Sequence, residues 1–578
     1  MTGFPAGAFD AKLKVAGGDD TIEGFLTQAS LVIAAETDGQ TNPQDILAAA
    51  QADYGRLVGA LYDAGYFGPV VRILIDGQEA ATLPPLTRLP SVRQVRIEVD
   101  PGRRFEFGRA EVAPLAPGTE LPEQFARGKA AGTATIREAA AAGVDGWRGV
   151  GHAKAEVTRQ EITARHEVAK LDVLLGITPG PLVRFGRTVV SGESAVDEGR
   201  IREIAGIPKN EVFDQEILED AATRLRRTGT FSSVTLREGE LNPDNSMDIA
   251  LAVVDAKPRR FGFGAEVEST DGLTLSAFWL HRNFLGGAER FRVDGEISGI
   301  SGSTDTLDYK FSVSLTRPAT LTPETDMILR ANVEQLSEPT YFSQQASVSL
   351  GFTRQVSRQL TTEVALGYRY SDVEDDLGKR TFQHLTLPLG LTWDRRSDTL
   401  NPKDGTYLRF EAMPYAGLGG SASGGRVYAD ARAYRAFGEE EGVVLAGRMQ
   451  IGSVMGSSIA ETPPDLLFYS GGSGTVRGHS YQSLGITSGG NETGGRSFLG
   501  LSTEVRVDFT DSLGGVVFYD MGYIGANSFM DDTGGWHSGA GLGLRYQTGL
   551  GPIRLDVATP VSGSGNGVQL YLGIGQAF

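Results

Sequence analysis

From residue 258 to the end, apolar and polar positions alternate in segments of about ten residues separated by Gly, Ser, Asp and Asn turns, the period-two pattern of half-buried strands. Sixteen such segments run from "FGFGAEVES" at Phe261 to "VQLYLGIGQAF" at Val568. Residues 1–257 have a different texture, in which helical periodicity alternates with single strands. In "VFDQEILEDAATRLRRTGTF", Ile217, Ala221, Ala222 and Leu225 share one helical face, and Gly229 stands where a left-handed helix end is wanted. Before it, "AVDEGRIREIAGI" is a second amphipathic helix, closed by Pro208.

This N-terminal part is repetitive. "PGRRFEFGRAEV" at Pro101 returns as "PGPLVRFGRTVV" at Pro179, 78 residues on. A second marker keeps the period: Trp147-x3-Gly151-x-Ala153 becomes Leu225-x3-Gly229-x-Phe231, and Leu61-x3-Gly65-x-Phe67 precedes both. Three α+β modules follow, at 1–100, 101–178 and 179–257, each expected to run β-α-α-β-β, with the alternating region at 258–578. The third is the clearest: strand "LVRFGRTVV", two helices, then strands "FSSVTLRE" and "MDIALAVVD". Its edge strand is suited to accept a strand from a partner.

In the alternating region one strand face is apolar, with Leu499, Leu501, Val505 and Val507 set against Ser502, Glu504, Arg506 and Asp508. In the last segment Val568, Leu570, Leu572 and Ile574 oppose Gln569, Tyr571 and two glycines. A soluble sandwich alternates in the same way. The even number of ten-residue strands favours a closed membrane β-barrel, antiparallel, with its apolar face in the bilayer and its polar face inward.

Composition narrows the function. With 77 Gly, no Cys and 40% hydrophobic residues, and with no apolar run of transmembrane length, the chain is not a helical membrane protein. The formal charge, 54 − 72 = −18, argues against a nucleic-acid partner. Absence of cysteine excludes disulfides and thiolate chemistry. The N-terminus has no basic n-region and apolar h-region, so either a leader has been removed or the chain is cytosolic. His281, His384, His479 and His537 lack paired metal-ligand spacing, "GGSGTVRG" has no Gly-Lys-Ser/Thr after it, and no nucleophile elbow stands out. A non-enzymatic protein without metal or cofactor is expected.

"GGSGTVRGHSYQSLG" (471–485), "VVFYDMGYIG", "GLGLRYQTGLGPIRLDVATPV", "LYLGIGQAF" and "TWDRRSDTLNPKDGTYLRF" together resemble the outer-membrane assembly factor superfamily, over essentially the whole chain. That resemblance implies periplasmic POTRA modules joined to a sixteen-stranded barrel in a bacterial outer membrane. Three modules resemble the TamA branch, where five would suggest BamA and two the exporters of two-partner secretion. The implied activity is insertion of β-barrel clients such as autotransporters, with a TamB-like inner-membrane-anchored partner at the first module. A secretion or passive pore, or phospholipid transfer to the outer membrane, are the alternatives.

The resemblance also points to residues. Val476, Arg477, Gly478 and His479 form the loop motif, with His479 where relatives usually carry Tyr or Phe. Asp520 matches the position whose carboxylate meets this arginine, and Glu504 lies on the polar face of its own strand. Gly472, Gly474 and Gly478 would let the loop fold back. Read without the resemblance, 453–496 is a long solvated external loop. In the family the first and last strands meet at a weak seam, which here would hold Gly262, Gly264, Gly573, Gly575 and Phe578. The four glycines would remove side-chain packing worth roughly 0.5–1 kcal/mol each.

Overall fold

The computed structural model describes residues 9–17, 20–84, 87, 89–268, 272–300, 307–438, 441–549, 551–563, 565 and 567–578. Part of the N-terminal stretch read for a leader, residues 1–8, lies outside them. The chain divides into two compact units, one of residues 1–187, 208–219 and 238–249, the other of 188–207, 220–237 and 250–578. The cut passes through the third module.

The first module is built from β1 (Asp10–Val15), α1 (Asp20–Ala29), α2 (Leu31–Thr37), α3 (Pro43–Asp63), β2 (Val70–Ile75), the short β3 (Gln78–Glu79) and β4 (Gln94–Asp100). Its sheet order is β1-β4-β2-β3, with β1 and β4 parallel. The second has β5 (Glu106–Ala113), α4 (Thr133–Arg148), β6 (Glu156–Arg165) and β7 (Lys170–Thr178) in the order β5-β7-β6. The third has β8 (Arg184–Ser191), α5 (Glu198–Ala205), α6 (Gln215–Arg227), β9 (Phe231–Leu241) and β10 (Ser246–Asp255) in the order β8-β10-β9. Only this third module has the expected β-α-α-β-β sequence. In the first an additional helix precedes α3, and in the second one helix is missing, because "PLAPGTELPEQFARG" carries prolines and glycines where it would have formed. The helix α5 ends at Gly206, a left-handed cap at φ +61°, before Pro208 is reached. Gly65, Gly151 and Gly229 all have φ between +67° and +98°, which explains why the repeat marker holds glycine after each module's long helix.

In the first module Asp53 of α3 is fully buried and accepts bonds from Ser30 Oγ (2.6 Å), Leu31 N (2.7 Å) and Val32 N (3.1 Å), tying α3 to the start of α2. Asp53→Ala strands these donors and is expected to destabilise the module by about 1–3 kcal/mol. A urea melt of the helical circular dichroism signal checks it.

In the second unit, seventeen strands form one antiparallel sheet in sequence order: β11 (Arg259–Glu268), β12 (Gly272–His281), β13 (Arg290–Ile300), β14 (Asp308–Arg317), β15 (Thr325–Glu338), β16 (Tyr341–Gln355), β17 (Leu360–Asp375), β18 (Gly378–Thr386), β19 (Leu389–Asp394), β20 (Gly405–Leu418), β21 (Gly424–Phe437), β22 (Val443–Met455), β25 (Ser497–Asp508), β26 (Leu513–Gly525), β27 (Gly535–Tyr546), β28 (Ile553–Ser562) and β29 (Gln569–Ile574). The hairpin β23 (Ile486–Ser488) and β24 (Asn491–Thr493) stands apart, in the long connection between β22 and β25. Both β18 and β19 pair with β17 on one side and β20 on the other. They are therefore two halves of one traverse interrupted at Leu387-Pro388, since proline cannot donate to the ladder. Among the described residues the sheet makes sixteen traverses.

Residues opposite each other in a ladder share a face, so the register separates the two surfaces. One rung runs Ser276, Glu296, Lys310, Glu334, Gln345 and Ser371. The adjacent rung on the other face runs Phe263, Ala277, Gly295, Phe311, Val333, Ala346 and Tyr370. The apolar face is exposed, Phe263 at 87% and Leu572 at 61%, whereas on the polar face Glu504, Asp520 and Asp556 are buried. A sheet that exposes its greasy side and buries its carboxylates has the polarity of a barrel in lipid, which removes the soluble-sandwich reading.

The helices of the third module that belong to this unit pack on the sheet's turns. Ala288, between β12 and β13, is part of the core formed by Ile201, Ile204, Ala221 and Leu225. Thr230 Oγ1 donates to the Arg282 carbonyl at 2.7 Å, and Arg224 pairs with Glu324 at 3.3 Å.

Candidate functional site

The connection between β22 and β25 folds over the polar face and is held there along its length. Early in it, Asp465 pairs with Arg369 of β17, and the Leu466 carbonyl accepts from Arg426 Nε of β21 at 3.2 Å. Phe468 then stacks on Phe498 with ring centroids 5.8 Å apart and lies under the Arg426 guanidinium.

Further on, Arg477 is 2% exposed and enters a nest of carboxylates. Its Nε and Nη2 donate to the two oxygens of Asp520 at 2.7 and 2.9 Å, a bidentate fork reinforced by its own backbone N–H at 3.1 Å. Its Nη1 donates to Glu504 at 2.7 Å and lies 3.4 Å from Asp556. The guanidinium carbon sits 3.5 Å from the Phe518 ring centroid, so one face is covered by an aromatic ring. Burial works against its charge, and the carboxylates of Asp520, Glu504 and Asp556 more than offset this, so its pKa is raised.

Two more arginines complete the cluster: Arg506 donates to Glu504 at 2.9 Å, and Arg545 to Asp556 at 2.5 Å. Three guanidinium groups thus share three carboxylates, a balance that lets six charges leave water together.

The backbone admits this only where side chains are absent. Gly478 has φ +98°, and a Cβ there would lie 2.6 Å from the Thr559 carbonyl carbon. Opposite it, a Cβ on Gly539 would fall 1.9 Å from the Arg477 carbonyl oxygen. Val476 is fully buried, Gly478 N donates to Tyr571 OH at 3.0 Å, and His479 is hydrogen-bonded through Nε2 to the Ser538 carbonyl at 3.1 Å. His479 and His537, 58 positions apart in sequence, stand with ring centroids 5.8 Å apart.

The structure thus gathers Val476, Arg477, Gly478, His479, Glu504 and Asp520 in one place, and the solvated-loop reading gives way to a buried one. Asp556 was missed. Its signal was available, because the alternation of "PIRLDVATPV" puts Arg554 and Asp556 on the polar face.

The expected seam residues do not all stay together. Gly262 and Gly264 lie on β11 and Gly573 on β29, but Gly575 is past the end of β29 at φ +87° and turns the chain inward. Gln576 N then donates to the Leu400 carbonyl at 3.0 Å, and Phe578 is buried against Tyr434 and Ala446 of β21 and β22, its carbonyl accepting from Arg506 at 3.1 Å. Nor are the glycines empty places. The ring of Phe278 covers Gly262, within 2.1 Å of a Cβ position, and Arg292 stacks on that ring at 4.1 Å. The ends of the sheet, β11 and β29, approach one another, and among the described residues no ladder joins them.

A curled antiparallel sheet with a lipid-facing exterior, an arginine-clamped interior loop and an α+β module that precedes its first strand in the chain defines a membrane β-barrel with an N-terminal accessory module. The Omp85 superfamily domain matches residues 283–578, and the POTRA domain, described as a surface antigen variable number repeat, matches residues 183–254. The chain belongs to the Omp85 superfamily, and its place is the bacterial outer membrane with the POTRA part in the periplasm. Among solved structures it is similar to BamA from Haemophilus ducreyi lacking POTRA domains 1–3, with a TM-score of 0.62 at 16% identity over 81% of this chain and 99% of that one. CdiB from Acinetobacter baumannii is similar at a TM-score of 0.51 and 14% identity, over 81% of this chain and 89% of that one. At these identities the likeness is one of fold.

Proposed function

We propose that the protein assembles β-barrel clients, autotransporters among them, into the outer membrane, as a TamA-like member with three POTRA modules of which the first meets a TamB-like partner. The observation that carries this reading is the short last strand. Its six residues, Gln569–Ile574, follow ten in β28, and its tail is drawn inward, so the edge of β11 is left without a full partner. Such an edge can template an incoming strand by main-chain hydrogen bonding. A conduit is disfavoured by the interior. The loop is fixed at Arg369 on β17 and at Asp520 on β26, and the tail residues Gln576 and Phe578 occupy part of the same space.

The test uses the absence of cysteine. One cysteine is placed at 262–264 and one at 570–573, scanning pairs for Cα separations within about 7 Å. A pair that crosslinks under oxidation is expected to abolish surface display of an autotransporter client, and reductant to restore it. Full client assembly through a quantitatively locked barrel would refute the templating edge and favour the pore.

A further inference from the structure

The outer face of β11–β17 is not uniformly convex. The rung Phe263, Ala277, Gly295, Phe311, Val333, Ala346 and Tyr370 sets small residues between large ones. Adjacent strands lie about 4.8 Å apart, so Ala277 and Gly295 leave a trough between Phe263 and Phe311, and Ala346 leaves another before Tyr370. Together they form a concavity of about 1000 Å³. Sites that hold small ligands are mostly apolar with a few placed polar groups, and the next rung supplies these. It runs Leu275, Ile297, Tyr309, Gln335, Gln344 and Asp372, apolar near the seam strand and polar away from it.

This second rung lies two residues from the first along each strand, about 7 Å away.

The rim's chemistry selects a head group. Gln344 Nε2 donates to Gln335 Oε1 at 2.9 Å and Gln335 Nε2 to the Leu307 carbonyl at 3.2 Å, which leaves each amide one further N–H. Asp372 accepts from Tyr370 OH at 2.9 Å and Thr381 Oγ1 at 2.7 Å, and has no cationic partner among the described residues. Beyond it Glu374 and Lys379 neutralise each other at 3.1 Å. A rim with one uncompensated carboxylate, amides and phenols repels a multiply phosphorylated glycolipid and suits a head carrying both an ammonium and a phosphate.

We propose that this trough is a binding site for one zwitterionic, amine-headed phospholipid, its acyl chains on Phe263, Leu275, Phe311 and Val333 and its ammonium at Asp372. The site adjoins β11, so a lipid held there lines the strand that the proposed function leaves open. The site itself stands on geometry independent of that function.

Native mass spectrometry of the full chain in non-ionic detergent, titrated with phosphatidylethanolamine, phosphatidylglycerol or hexa-acylated lipid A, tests it. One phosphatidylethanolamine is expected to be retained about tenfold more tightly than either other lipid. Ala346→Trp and Ala277→Trp fill the trough from a lipid-facing position, and each should remove the adduct while heat-modifiable mobility on gels reports an intact barrel. Asp372→Asn should erase the head-group preference and keep the chain contacts. Equal retention of all three lipids, indifference to both tryptophans, or preference for lipid A overturns the proposal. So does occupancy by a client-derived β-strand peptide that phosphatidylethanolamine fails to displace.

Discussion

Arg477→Ala is expected to destabilise the folded-in loop by about 3–5 kcal/mol, the usual result of removing one partner from a buried ionic cluster. The alanine leaves Asp520 without its bidentate partner, Glu504 with Arg506 alone and Asp556 with Arg545 alone, so three carboxylates face two guanidinium groups in a site where Glu504 and Asp556 side chains are fully buried. Arg477→Lys keeps the charge and should recover little. A single ammonium cannot fork onto Asp520, reach Glu504 and lie flat on Phe518 at once. The measurement is protease accessibility of the loop together with the temperature at which the unboiled gel band shifts. A double-mutant cycle with Asp520→Ala separates their coupling from the loss of each side chain. Wild-type protection and melting in both Arg477 variants would mean that the clamp contributes nothing to holding the loop.

Gly539→Ala is expected to expel the same loop by steric means while leaving every charge in place. The added Cβ would stand 1.9 Å from the Arg477 carbonyl oxygen and 3.3 Å from that of Thr559. These are backbone atoms, so no rotamer change relieves the overlap, and the cost should reach the upper part of the 1–3 kcal/mol typical of overpacking. Gly474→Ala, in the same loop with open space around it, is the matched control and should be silent. If Gly539→Ala behaves like Gly474→Ala in the protease assay, the close approach of loop and wall is not required for docking.

The contrast between these glycines shows where sequence reading stopped. Both stand in Gly-rich stretches and look alike in the chain. Only the tertiary packing of the loop against β27 makes one indispensable.

Local pattern was enough for much of the molecule. Period-two alternation located all sixteen traverses, because a strand with one face in lipid and one in a polar interior must alternate wherever it runs. The repeat of glycine after each module's long helix marked a left-handed helix exit, a backbone need that one residue type meets cheaply. The loop motif and Asp520 were legible through family resemblance, Glu504 through the alternation of its strand, and Asp556 could have been added in the same way from its own strand.

What the sequence could not determine is what meets across the interior. His479 and His537, or Phe578 and Tyr434, come together because a curled sheet brings distant strands face to face, and local pairing rules carry no term for curvature. The tail is the clearest instance. Alternation through "LYLGIGQAF" reads as strand to the end, yet β29 stops at Ile574 because Arg506, Arg545 and Leu400, from three other parts of the barrel, offer the last residues hydrogen bonds inside it. The trough on the outer face has the same origin. Ala277, Gly295 and Ala346 are unremarkable in their own strands, and only the register that aligns them between Phe263, Phe311 and Tyr370 turns two alanines and a glycine into one cavity.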